Sequence, residues 1–108
     1  MDEHAVDDLI DRIHDMANAL GWSFRIDGAS NSTISVYVDL WRDCRSENDT
    51  DESIEDYGYT GQESVRVRIS DHGNAHYYDG EQMHIRMDRN PEADLELLRA
   101  RLSRPAMV

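Results

Sequence analysis

Thr33-Ile34-Ser35-Val36-Tyr37-Val38-Asp39-Leu40-Trp41 alternates apolar with polar residues along most of its length. Successive side chains of a strand point to opposite faces, so this spacing predicts a strand with Ile34, Val36, Val38 and Leu40 facing a core. Just upstream, Trp22-Ser23-Phe24-Arg25-Ile26-Asp27 alternates in the same way, and Gly28-Ala29-Ser30-Asn31-Ser32 between the two is turn material. The pair therefore reads as an antiparallel hairpin with one apolar face.

That face needs a cover, and the residues before it supply one. From about Asp2 to Leu20, Val6, Leu9, Ile10, Ile13, Met16, Ala17 and Leu20 recur at steps of three and four, which gathers them on one side of a helix. Asp2, Glu3, Asp7 and Asp8 suit the positive end of the helix dipole, and Gly21 is a natural stop. The opposite side of this helix carries Asp7, Asp8, Asp11 and Asp15 with His4, His14 and Asn18, interrupted by Arg12 at its edge.

Downstream, Ser64-Val65-Arg66-Val67-Arg68-Ile69-Ser70 alternates again, with Val65, Val67 and Ile69 inward. Ala75-His76-Tyr77-Tyr78 is a short strand candidate, Asp79-Gly80 a hairpin-type turn, and Gln82 to Met87 a further strand with Met83, Ile85 and Met87 on one face. Asn90-Pro91-Glu92 starts a last helix, Asn as cap and Pro in the first turn; Leu95, Leu98 and Leu102 form its buried stripe, and Pro105 closes it. The order predicts a single α+β domain over residues 1–108: an antiparallel sheet of four to five strands with the N- and C-terminal helices packed on one face. The other face would show Arg25, Arg66, Arg68, Arg86, Ser35, Tyr37 and His84, with Asp27, Asp39 and Asp88 neutralising the arginines in cross-strand pairs.

Between Arg42 and Glu63 the periodicity vanishes. This stretch includes Glu47, Asp49, Asp51, Glu52, Glu55 and Asp56, with Ile54, Tyr57 and Tyr59, and is expected to be a mobile or partner-ordered loop with a short helical turn near Ser53 to Tyr57. The whole chain carries a net charge of -12, from 23 acids against 11 bases, all of them Arg. Such a sum repels free nucleic acid and attracts basic proteins. A halophile surface or an Arg-preferring genome would also give acid excess without Lys, but would spread the acids evenly. No basic leader, no apolar run of the ~20 residues that span a bilayer and a lone Cys44 point to a cytoplasmic setting without a disulfide framework.

Motifs for chemistry are thin. Asp49-Thr50-Asp51-Glu52-Ser53 opens like a calcium loop, but Ile54 and Thr60 stand where the turn glycine and the bidentate glutamate belong. Asp71, His72, His76 and His84 could gather imidazoles for a metal or a general base, although their spacing crosses Gly73 and no fourth ligand is evident. Arg and Tyr side chains on an open sheet could stack single-stranded bases. No catalytic residue, metal ligand or cofactor is assigned.

Ser35-Val36-Tyr37-Val38 and Val67-Arg68-Ile69-Ser70-Asp71-His72 resemble a pattern in small uncharacterised proteins of phages and mobile elements. That resemblance implies a sheet-forming module and assigns no functional residue. In general character (small, acidic, without catalytic motifs) the chain is similar to phage-encoded inhibitors of host defence, including anti-CRISPR proteins that occupy nucleic-acid grooves. The expectation is an inhibitor that binds a basic host protein or nucleoprotein complex through Asp8, Asp11 and Asp15 of the first helix and Asp49, Asp51, Glu52, Glu55 and Asp56 of the loop, anchored by Tyr57 and Tyr59. The alternatives are a small His- or metal-dependent enzyme and an acidic interaction module without inhibitory role.

Overall fold

A computed structural model of the chain describes residues 2–27, 35–73 and 77–106. The elements are α1 (Glu3–Leu20), β1 (Ser23–Asp27), β2 (Ser35–Cys44), α2 (Asp51–Tyr57), β3 (Gly61–Ser70), β4 (Gln82–Arg86) and α3 (Pro91–Leu102). The fold is α+β, a four-stranded sheet in the order β1-β2-β3-β4 with the terminal helices on one face. Ile34 and the turn 28–32 lie outside the described residues, as do Ala75 and His76.

The core forms where the spacing places it. Val6, Leu9, Ile13, Met16 and Ala17 of α1 and Leu95, Leu98 and Leu102 of α3 pack on Val38, Leu40, Val65, Val67, Ile69 and Ile85 of the sheet, all essentially removed from water. Full burial of a large aliphatic side chain is worth roughly 1.5–3 kcal/mol, so this layer dominates stability. Asp2 caps α1 by accepting from the His4 amide, and Gly21 ends it in the left-handed region at φ 81°. Asn90 caps α3 with Pro91 in its first turn.

Two expectations need correction. The sheet is mixed, because β4 runs parallel to β3, with Arg66 opposite Gln82 and Ser70 opposite Arg86. Asp79-Gly80 therefore closes no hairpin, and Tyr77 and Tyr78 belong to a crossover instead of a strand. Alternation reports which face a side chain takes, not which way its strand runs. A parallel neighbour needs a connection of about a dozen residues, which 71–81 supplies.

The stretch Arg42 to Glu63 is also not a loose loop. β2 continues to Cys44 and β3 begins at Gly61, paired along their whole length from Ser35↔Ser70 to Cys44↔Gly61. Among the described residues β1 accompanies β2 from Tyr37 to Trp41, and β4 accompanies β3 from Arg66 to Ser70. Beyond those limits the two strands form a two-stranded arm, with α2 near its end, and the Cα trace extends over 49 × 26 × 19 Å. Alternation fails there because the inward positions after Leu40 and before Val65 hold Arg42 and Glu63. They meet polar partners: Arg42 donates to Glu63 (2.9 Å) and to the Arg104 carbonyl (2.7 Å), and Arg101 donates to Glu63 (2.8 Å) and Glu81 (2.5 Å). The Trp22 ring lies against both cations, 4.3 Å from the Arg42 guanidinium and 5.6 Å from that of Arg101, while its Nε1–H donates to the Leu102 carbonyl. The C-terminus of α3 thus braces the base of the arm.

Candidate binding surfaces

The arginines are distributed unevenly among the acids. Arg25 and Arg66 share Asp39, Arg66 also holds Asp27, Arg42 and Arg101 share Glu63, Arg101 reaches Glu81, and Arg86 grips Asp88. The cross-strand neutralisation expected from Asp27 and Asp39 is therefore present, whereas Asp88 meets Arg86 locally, two residues along the chain. Burial opposes the ionised forms of Asp39 and Glu63, but hydrogen bonds from their arginines outweigh it and hold both carboxyls below the usual range.

On α1 the balance is different. Asp7, Asp8, Asp11 and Asp15 are all exposed, and among the described residues no ion pair engages any of them. Arg12 turns across to Glu92 of α3, which it binds through both guanidinium nitrogens at 2.6 and 2.7 Å, with Asp8 adding a weaker attraction. The stripe is therefore left as unpaired negative charge.

The end of the arm is built from polar ties. Asp49 is only 7% exposed. Its carboxylate accepts from the Thr60 hydroxyl (2.6 Å), the Thr60 amide (3.0 Å) and the Ser46 amide (3.0 Å), and these bonds pull its pKa down to about 2. Asp49 therefore fastens the ends of the loop together and is turned away from any partner, unlike the other acids of the stretch. Thr50 and Ser53 form a reciprocal capping box at the start of α2, and Arg45 binds the Asp51 carboxylate at 2.8 Å. α2 buries none of its residues. Glu52, Glu55 and Asp56 are exposed and, among the described residues, take part in no ion pair; Tyr57 and Tyr59 are 85% and 52% exposed. The roles of Arg45, Ser46 and Thr60 were not singled out from sequence. The spacing Thr50-Asp51-Glu52-Ser53 was the one local signal, a capping box with Ser in place of the usual Glu or Gln.

The expected contact residues sit on two elements: α1 packs on β1 and α3, whereas α2 lies at the end of the arm.

The sheet face opposite the helices carries the residues expected there but is less open than expected. Arg68, Ser35 and Ser70 are buried. Arg68 donates to the Ser35 hydroxyl and contacts the His72 ring, and the Arg66 guanidinium sits 5.2 Å from the Tyr37 ring and 4.6 Å from the Tyr78 ring. The start of the crossover and Tyr78 therefore cover part of this face. An open cleft remains beside them, lined by Arg25, Asp39, Trp41, Ser64, Arg66 and Tyr78.

His84 and His72 meet around Ser70, whose hydroxyl donates to the His72 carbonyl and so accepts from His84 Nε2–H. That polarity is opposite to the one a nucleophilic serine needs, in which the imidazole accepts the hydroxyl proton. Burial, with Arg68 and Arg86 beside it, lowers the His84 pKa and favours the neutral ring. His76 lies outside the described residues, and among the described ones no group of His, Cys, Asp and Glu is arranged to hold a metal ion. No described helix is long and apolar enough to cross a membrane. No protein family, curated protein or solved structure matches the chain.

Proposed function

We propose that the chain is a binding protein whose unpaired acids occupy a basic groove of a nucleic-acid-binding protein and block access of the nucleic acid. One observation carries this reading. Among the described residues Arg12, Arg25, Arg42, Arg45, Arg66, Arg86, Arg99 and Arg101 pair with other acids, and no ion pair engages Asp7, Asp8, Asp11 and Asp15 on α1 or Glu52, Glu55 and Asp56 on α2. Had the whole chain neutralised itself, no surface would be left to attract a cation. A groove lined with Arg and Lys for phosphates accepts carboxylates through the same charge-assisted hydrogen bonds. The narrow form of the reading, which rests on the resemblance to phage-encoded inhibitors, is an anti-CRISPR-like blocker of a host nucleoprotein complex.

The geometry restricts how such a protein would mimic nucleic acid. Side chains three or four apart on a helix stand ~5–6 Å from one another, whereas duplex DNA carries one charge per ~1.7 Å of axis. The stripe on α1 alone is too sparse, and the separate tip adds a second point of contact instead of filling the gaps.

The experiment is affinity capture of binding partners from cell lysate at low and at high salt, followed by competition with nucleic acid. A nucleic-acid-binding protein that is retained at low salt, released as salt rises and displaced by its own nucleic acid supports the proposal. A partner that stays bound while it holds nucleic acid makes the chain an acidic interaction module without blocking activity.

A further inference from the structure

We infer that the end of the arm, where Tyr57 ends the exposed helix α2 and Tyr59 follows it, is the contact that gives a complex its lifetime, and that its occupant is an arginine-bearing protein surface. The inference rests on the acidic-binding reading above and divides its labour: the tip holds, and the α1 stripe steers.

Tyr57, the last residue of a helix with no fully buried residue, is 85% exposed, and Tyr59, two residues beyond it, 52%; both lie beyond the reach of β1 and β4. Neither ring serves the core. Tyrosines supply large, amphipathic contact area with few rotatable bonds, which is why they are frequent energetic anchors of interfaces. The unpaired Glu52, Glu55 and Asp56 beside them require the occupant to be cationic.

The chain itself shows which cation suits such a place. Arg66 lies 4.6 Å from the Tyr78 ring while its N–H groups bind Asp39 and Asp27. Arg42 lies 4.3 Å from the Trp22 ring while it binds Glu63. In both, the guanidinium carbon lies over a ring while its N–H groups bind a carboxylate. Lysine's point charge satisfies the carboxylate but lacks the flat face and the fork. At the tip, Tyr57 and Tyr59 follow Glu52, Glu55 and Asp56 in the chain, and among the described residues no guanidinium lies over either ring.

The stripe has other properties. It carries exposed charge without an exposed aromatic, and His14 is stacked on Phe24 at 4.6 Å. Exposed charge of this kind raises the rate of encounter more than it slows dissociation.

The test measures association and dissociation rates of two labelled dodecapeptides, one alternating Arg with Ser and one alternating Lys with Ser, against the full chain. The Arg peptide is expected to bind about fivefold more tightly than the Lys peptide. Tyr57→Ala/Tyr59→Ala is expected to abolish that preference by speeding dissociation, while Tyr57→Phe/Tyr59→Phe keeps it. Asp8→Asn/Asp11→Asn/Asp15→Asn is expected to slow association and flatten its salt dependence. Equal affinity for the two peptides, or unchanged dissociation in the double alanine variant, overturns the inference and leaves the acidic-binding reading standing. Failure of both peptides to bind at low salt overturns that reading as well.

Discussion

Arg101 Nη2 donates to Glu63 Oε1 across 2.8 Å, with both side chains less than a tenth exposed. The two residues belong to α3 and β3, so a single hydrogen bond ties the last helix to the arm. Arg42 takes the other oxygen of the same carboxylate, and Trp22 lies against both guanidiniums. Glu63→Gln leaves Arg42, little exposed, without a carboxylate and Arg101 with Glu81 alone. Removing one partner from a buried pair costs about 3 kcal/mol or more. Urea unfolding of the variant is expected to show that loss; a change below about 1 kcal/mol would mean that water screens the network.

Acidification should unfold the protein in two stages. The folded His84 has a lowered pKa, so the unfolded chain takes up this proton first, and stability falls as pH drops below ~6.5. Glu63, Asp39 and Asp49 also have lowered folded values, so their contribution is intact above the unfolded range near ~4 and is lost below it, down to about 2 for Asp49. Glutamine at position 84 retains a donor for Ser70 and does not titrate. Urea midpoints measured from pH 8 to pH 3 are expected to lose the upper stage in His84→Gln and keep the lower; identical profiles for variant and wild type would refute the assignment.

Asp49 holds Ser46 and Thr60 together through three hydrogen bonds, and the neighbouring helix α2 has no fully buried residue. In Asp49→Asn the accepting carboxylate becomes a neutral amide with one acceptor oxygen, so the tip should open locally without unfolding the sheet. Amide exchange at Ser46 and Thr60 is expected to rise roughly tenfold, with exchange at Val67 and Ile69 unchanged. A loss of protection throughout the sheet would show that the tip is part of the cooperative core.

The α1 stripe should strain the free protein. Asp11 faces Asp7 and Asp15 at four-residue spacing and Asp8 at three, all exposed. Like charges at such spacings cost a few tenths of a kcal/mol each. Asp11→Asn is therefore expected to raise stability by about 0.5–1 kcal/mol at low salt, with the gain shrinking as salt screens the pairs. A destabilised variant would reveal a stabilising contact for Asp11 in the folded chain.

Much of the framework can be read without coordinates. The buried faces of α1, β2, β3 and α3 follow from spacing, and Asp2, Gly21, Asn90 and Pro91 mark helix ends through chemistry confined to a few neighbouring residues. The arm could not be read that way. Arg42 and Glu63 look like loop residues until Arg101 and Trp22, distant in sequence, arrive beside them. Asp49 is one acid among several until Thr60 folds back onto it.

By itself the sequence determined the α+β layering, the inward residues and the excess of acid on α1, because each depends on local periodicity or on charge counted along the chain. Only the tertiary structure decided the direction of β4, the bracing of the arm by α3 and the separation of the acids into a stripe and a tip. Those depend on which distant groups come within a few ångströms of one another, and neither alternation nor composition encodes that distance.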